Sequence, residues 1–150
     1  MKKRLICILP LLFAFYGFAQ SEGIRDNLIN DLTAQKWCCN VVLGDDSYAS
    51  LLQKNEIVLS PIEENPFGYF VVFNLDGTFE SYNQGFCGNE CRTHVYGSYE
   101  ISKNGNITIF VKKIVYMKTC VDRPIKKVNA TFGNFQIVRN EQVLELHRIH

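Results

Sequence analysis

The chain has 150 residues, with 16 Lys+Arg against 15 Asp+Glu, and 47% of its residues are hydrophobic. A balance this close to neutral gives no basic footprint for nucleic acid or for an anionic membrane surface. The length suits one domain with a hydrophobic core of its own, so that disulfides would only supplement it.

Met1 is followed by Lys2, Lys3 and Arg4, and then by an apolar run from Leu5 to Phe18 broken only by Pro10 and Gly17. With Gly17-Phe18-Ala19 ahead of Gln20 this reads as a charged n-region, an h-region and a small-x-small cleavage site. The run is shorter than the ~20 residues a spanning helix needs. Cys7 lies inside it with no small residues ahead of a cleavage point, which argues against a lipoprotein. The expectation is a cleaved signal peptide over residues 1–19 and a single domain over 20–150. That domain is expected to be exported to the periplasm or the extracellular space and to have no membrane span after cleavage. Removing Lys2, Lys3 and Arg4 leaves it slightly acidic.

From Ser21, a candidate N-cap, Ile24, Leu28 and Leu32 recur four apart and predict a short amphipathic helix. Lys36 to Leu43 has the β-branched and aromatic character of a first strand. Gly44 to Pro66 is polar, and only a short strand over Ile57 to Ser60 is expected there. The segment Phe73-Asn74-Leu75-Asp76-Gly77-Thr78-Phe79 predicts a three-residue hairpin loop with Gly77 at the left-handed position, pairing Asn74 with Thr78 and Phe73 with Phe79. Val71, Phe73, Phe79 and Ser81 then share one face, with Glu80 and Tyr82 on the other. The same chemistry at Ser102 to Asn106 pairs Ile101 with Ile107, so that Tyr99, Ile101, Ile107 and Ile109 form one apolar surface. A third hairpin around Asn140-Glu141 pairs Ile137 with Leu144 and Phe135 with Leu146. Between the second and third hairpins, residues 116–131 are expected to hold one further strand or a long loop.

The result is an all-β chain of about seven or eight antiparallel strands behind a short N-terminal helix. An up-and-down meander with one apolar face per strand buries that face by closing into a barrel, which also removes its two edges. A two-sheet sandwich is the structural competitor.

With these elements in place the chain resembles the small lipocalin-like (calycin) domains of exported bacterial proteins. The resemblance rests on Leu32 to Trp37, on Phe73 to Phe79, on Gly97-Ser98-Tyr99-Glu100-Ile101 and on Leu144-Glu145-Leu146-His147-Arg148. It covers most of the chain after residue 19. The Gly-x-Trp signature is half present, with Gln35 in the place of the glycine, and no clear Thr-Asp-Tyr element follows. The resemblance implies an inward Trp37 on the first strand. Barrel closure would then bring Arg148 of the last strand against it in a cation–π contact. It also implies a barrel whose mouth holds a small apolar molecule, lined by Phe73, Phe79, Tyr82, Tyr99 and the 44–66 loop, with Tyr82 facing outward unless its strand is bulged. The alternative is an envelope interaction or structural protein whose barrel is filled, since Phe73, Phe79, Tyr99, Phe135, Ile137 and Leu146 are bulky enough to fill a small one.

After residue 19 the cysteines are Cys38, Cys39, Cys87, Cys91 and Cys120. In an oxidising compartment an odd count reads as two disulfides and one leftover thiol. Neighbours on a strand point to opposite faces, so Cys38 and Cys39 are not equivalent. If Trp37 faces inward, as the resemblance implies, Cys39 does too and Cys38 faces out. Cys87, Cys91 and His94 have a spacing that could hold zinc with a fourth ligand. Export favours instead a disulfide clamping the 84–92 loop, with bridges from Cys87 or Cys91 to the first strand or to Cys120 as alternatives. No metal is expected there. Catalytic signatures are missing: there is no Gly-x-Ser-x-Gly and no Cys-x-x-Cys, and the acid pairs Asp45-Asp46 and Glu63-Glu64 lie in polar loops. A protein that is not an enzyme and uses no cofactor is expected. Asn106 and Asn129 begin glycosylation sequons.

Overall fold

The computed structural model describes residues 23–45, 56–62, 67–85, 91–116 and 125–149. Residues 1–19, expected to be a signal peptide, together with Ser21, Cys87, Cys120, His150 and most of the 44–66 loop, lie outside the described residues. Helix α1 covers residues 23–33. It is followed by β1 (Trp37–Cys39), β2 (Glu56–Pro61), β3 (Gly68–Phe73), β4 (Thr78–Gln84), β5 (Thr93–Ile101), β6 (Asn106–Tyr116), β7 (Lys126–Asn140) and β8 (Val143–Arg148). All eight strands pair antiparallel in one closed barrel, as the alternating patterns predict.

The first two hairpins form in the expected registers. Phe73 pairs with Phe79, Asn74 N donates to Thr78 O at 2.8 Å, and Gly77 takes a φ of 79°. Ile101 pairs with Ile107, and Gly105 takes a φ of 83°. The third hairpin is slipped by two residues: Ile137 faces Leu146, Phe135 faces Arg148, and the turn is the pair Glu141-Gln142 with Glu141 at a φ of 53°. A slip of two keeps every side chain on its face, so Gln136 and Glu145 still point away from the interior.

The strand order departs from a plain meander at the start. From β3 to β8 consecutive strands are neighbours, but β1 lies between β2 and β3, and β2 closes the barrel against β8. Trp37 therefore does not meet Arg148. Trp37 pairs with Pro61 at one end of β2, while Glu56 at the other end pairs with His147, one residue short of Arg148. At about 3.3 Å per residue the two positions are about 20 Å apart along β2. Trp37 instead donates its indole N–H to Leu32 O at 2.9 Å, which ties the end of α1 to β1. Arg148 lies over the rings of Phe132 and Phe135, 5.3 and 5.2 Å from their centroids.

The β3–β4, β5–β6 and β7–β8 turns lie at one end of the barrel, and α1 lies along that end. A Cβ on Gly105 would touch Leu28, Asp31 pairs with Arg139 beside the β7–β8 turn at 2.9 Å, and Leu32 is completely buried. The apolar face read from Ile24, Leu28 and Leu32 is thus the face laid on the barrel, although Ile24 at its outer end stays 52% exposed.

Candidate functional site

Inward residues from all eight strands form one continuous core. Trp37, Cys39, Ile57, Leu59, Val71, Phe73, Phe79, Val95, Tyr99, Ile107, Ile109, Phe135, Leu144 and Leu146 belong to a single buried cluster. Phe73, Phe79 and Tyr99, expected at an open mouth, sit at the turn end beneath α1. The Phe73 ring meets Tyr99 edge-on at 5.2 Å and Phe79 at 6.1 Å, and Tyr99 OH donates to Asn74 O at 2.8 Å. Burial pushes the Tyr99 phenol above its ordinary value, with Asp76 adding to the effect. These three rings are brought together as packed core. Tyr82 is on the outer face, where the unbulged register puts it.

The most consequential local feature follows β1. A first strand was expected to continue to Leu43, but it stops at Cys39, and Val41, Val42, Leu43, Gly44 and Asp45 turn into the barrel and are all buried. The Asn40 side chain takes over the pairing that the backbone gives up, accepting from Val58 N at 3.1 Å and donating to Glu56 O at 3.3 Å. Leu43 N donates to Ser81 Oγ at 2.9 Å, and that hydroxyl donates to Phe70 O at 2.8 Å, so two buried backbone groups are satisfied by one inward serine. Gly44, at a φ of 90°, lies so close to the opposite wall that a Cβ there would come within 2.6 Å of Val111 Cγ2 and 3.0 Å of Val95 Cγ1. The segment therefore lies inside the barrel against β4, β5 and β6.

On the outer wall the register lines up Cys38, Phe70, Tyr82 and His94 across β1, β3, β4 and β5. Tyr82 lies tilted against Phe70 at 5.6 Å and stacks on His94 at 5.1 Å with an interplanar angle of 15°, and Tyr96 stands beside His94 at 6.1 Å. Lys36 Nζ lies 4.6 Å over Phe70, and Lys113 Nζ lies 4.7 Å over Tyr96. The result is a row of rings bordered by cations. His94, whose spacing to Cys87 and Cys91 suggested zinc, is part of this row. Its pKa is held below 6.5 chiefly by burial, with Glu80 opposing and Arg92 reinforcing the shift. Alternation did place Tyr82 and His94 outside. What the sequence missed is that β3, β4 and β5 align their outward rings, because that depends on registers set by two different loops.

Cys38 and Cys39 are free thiols that point out of and into the barrel respectively. Burial pushes the Cys39 thiol up to about 12, which leaves it inert as a nucleophile. Cys91 is disulfide-bonded. Since Cys38 and Cys39 are free, its partner is not on the first strand and lies outside the described residues.

Among the described residues, two surface clefts flank α1. One, of about 450 Å³, lies between the helix and the first two hairpin turns and is bordered by Arg25, Ile29, Asp76 and Tyr99. The other, of about 410 Å³, lies beside Trp37, Pro61 and Arg139. Among the described residues no helix is long and apolar enough to cross a membrane. Comparison of the chain with protein-family models, curated proteins and solved structures finds no match.

Proposed function

We propose that the domain is an exported, non-catalytic, lipocalin-like interaction module with a filled barrel, and that it works through its outer wall. The eight-stranded antiparallel barrel behind a short helix supports the resemblance noted above. The single observation that carries the choice between cargo carrier and interaction module is the buried segment from Val41 to Asp45, which occupies the space a small apolar molecule would need. Ligand pockets are usually preformed cavities of roughly 300 Å³ or more. Here the inward Phe73, Phe79 and Tyr99 already pack on one another at the turn end, and the segment after β1 lies in the interior beyond them.

The outer row Tyr82, His94 and Tyr96, backed by the buried ring of Phe70, is the surface best suited to a partner. Aromatic rings give large contact area at low entropic cost, and the flanking Lys36 and Lys113 supply charge at the rim. The Cys91 disulfide fits an oxidising compartment, and we place its partner at Cys87 or Cys120.

Native mass spectrometry of protein purified from its own cell envelope, followed by titration with a fluorescent fatty acid, tests this reading. The expected result is a mass equal to that of the processed polypeptide and no saturable binding of the probe. A stoichiometric apolar molecule released on unfolding would return the barrel to the cargo-carrier reading.

A further inference from the structure

We propose that Glu56, Glu145 and His147 form a binding site for a zinc-class divalent cation on the outer wall, where β2 meets β8. The register puts Glu56 directly opposite His147 and Val58 opposite Glu145. Ile57, Leu59, Leu144 and Leu146 take the inward positions, so alternation sends the two carboxylates and the imidazole outward together. One donor atom from each of the three lies within 4.8 Å of the others, and all three residues are partly buried.

The arrangement is close to what a tetrahedral ion requires. Donors bound to zinc at about 2.0–2.1 Å stand about 3.3 Å apart. His147 Nε2 and Glu145 Oε2 are already 2.8 Å apart, and the other donor separations are at most 4.8 Å. The groups behind the site are also in place. Asn140 Nδ2 holds the other Glu145 oxygen at 2.6 Å, which aims Oε2 at the imidazole. Asn40 fixes the β2 backbone at Glu56 and Val58. Partners of this kind, orienting the ligands from behind, tune metal affinity strongly.

The donor set selects the ion. One imidazole nitrogen with two carboxylates is a borderline set suited to zinc and its transition-metal neighbours, whereas calcium and magnesium prefer oxygen alone. Two carboxylates this close repel one another, and a divalent ion neutralises both while accepting the imidazole lone pair. Three protein ligands leave a position for water. The Cys87, Cys91 and His94 spacing pointed elsewhere, because Glu56 and Glu145 are far apart in the chain and only the β2–β8 pairing joins them.

The test is zinc chloride titrated calorimetrically into chelator-treated protein carrying Cys38→Ser, which removes the outward thiol as a competitor. His147 and His94 are followed by NMR in the same samples. The expected result is one zinc per chain in the low micromolar range, with the His147 resonances shifting and those of His94 unmoved. Glu145→Gln should weaken binding about ten-fold or more, and His147→Gln should abolish it. Both substitutions are on the outer wall, and unchanged denaturant midpoints would confirm that the fold is retained. Absence of binding, affinity unchanged from the parent in either variant, or binding that moves His94 in place of His147 would overturn the proposal.

Discussion

Leu43 and Ser81 are joined across the interior: the backbone N–H of Leu43 donates to Ser81 Oγ at 2.9 Å, and both residues are completely buried. This bond anchors the segment after β1 inside the barrel. Ser81→Ala leaves the Leu43 amide without that partner, in a place where an unpaired buried donor costs roughly 1–3 kcal/mol. Urea unfolding should show a loss of that size with an unchanged m-value. A change under about 0.5 kcal/mol would mean that the amide is solvated and the segment is not seated as described.

Gly97 marks a second tight point. A Cβ there would run into Phe110 O and the Phe79 ring, next to the register shift between β5 and β6. One obstacle is backbone and cannot rotate away, so Gly97→Ala should cost roughly 3 kcal/mol or more. Gly23→Ala, at the start of α1 with nothing within 4 Å, should be neutral or stabilising by up to about 1 kcal/mol. Thermal melts of the two variants check the contrast, and a Gly97→Ala protein as stable as the parent would contradict the packing.

The hairpin registers were legible because local chemistry determines them: Gly77 and Gly105 supply the left-handed position, and the Phe73–Phe79 and Ile101–Ile107 pairs follow. The third hairpin has no glycine in its turn, and its register was read two residues off. The insertion of β1 between β2 and β3 was not legible, since it depends on connections whose lengths say nothing about which edge a strand joins. For the same reason the sequence put Trp37 beside Arg148, and it put Phe73, Phe79 and Tyr99 at a mouth rather than beneath the helix. Val41, Val42 and Leu43 look like strand because all three are apolar and the two valines are β-branched. Only Gly44 and the capping amide of Asn40 hint that the chain turns inward there.

His94 provides a pH test. Its pKa is lowered in the folded protein, so between that value and the ordinary 6.5 the unfolded chain holds more protons than the folded one. The contribution of His94 to stability is therefore complete above 6.5 and declines as the pH falls through that window. In an NMR titration the His94 imidazole should titrate below 6.5, and His94→Phe should flatten the corresponding slope of stability against pH. A His94 midpoint at or above 6.5 would contradict its placement in the ring stack.

The cysteines should separate cleanly by reactivity. With the thiol of Cys39 pushed up to about 12 and buried, and Cys38 half-buried on the outer face, iodoacetamide at pH 8 should label Cys38 in native protein and reach Cys39 only after unfolding. Peptide mass spectrometry after differential alkylation reads both sites. Labelling of Cys39 at the rate seen in denaturant would show that the inward face of β1 is open to solvent.

Whether the protein fills its own barrel is read most directly by NMR contacts between Gly44 and the opposite wall. If it does, strong NOEs will connect the Gly44 α-protons to methyl groups of Val95 and Val111, and they will persist when an excess of a long-chain fatty acid is added. Absence of those NOEs, or their disappearance as the fatty acid binds, would show that residues 41–45 vacate the interior and that the barrel is a container for cargo.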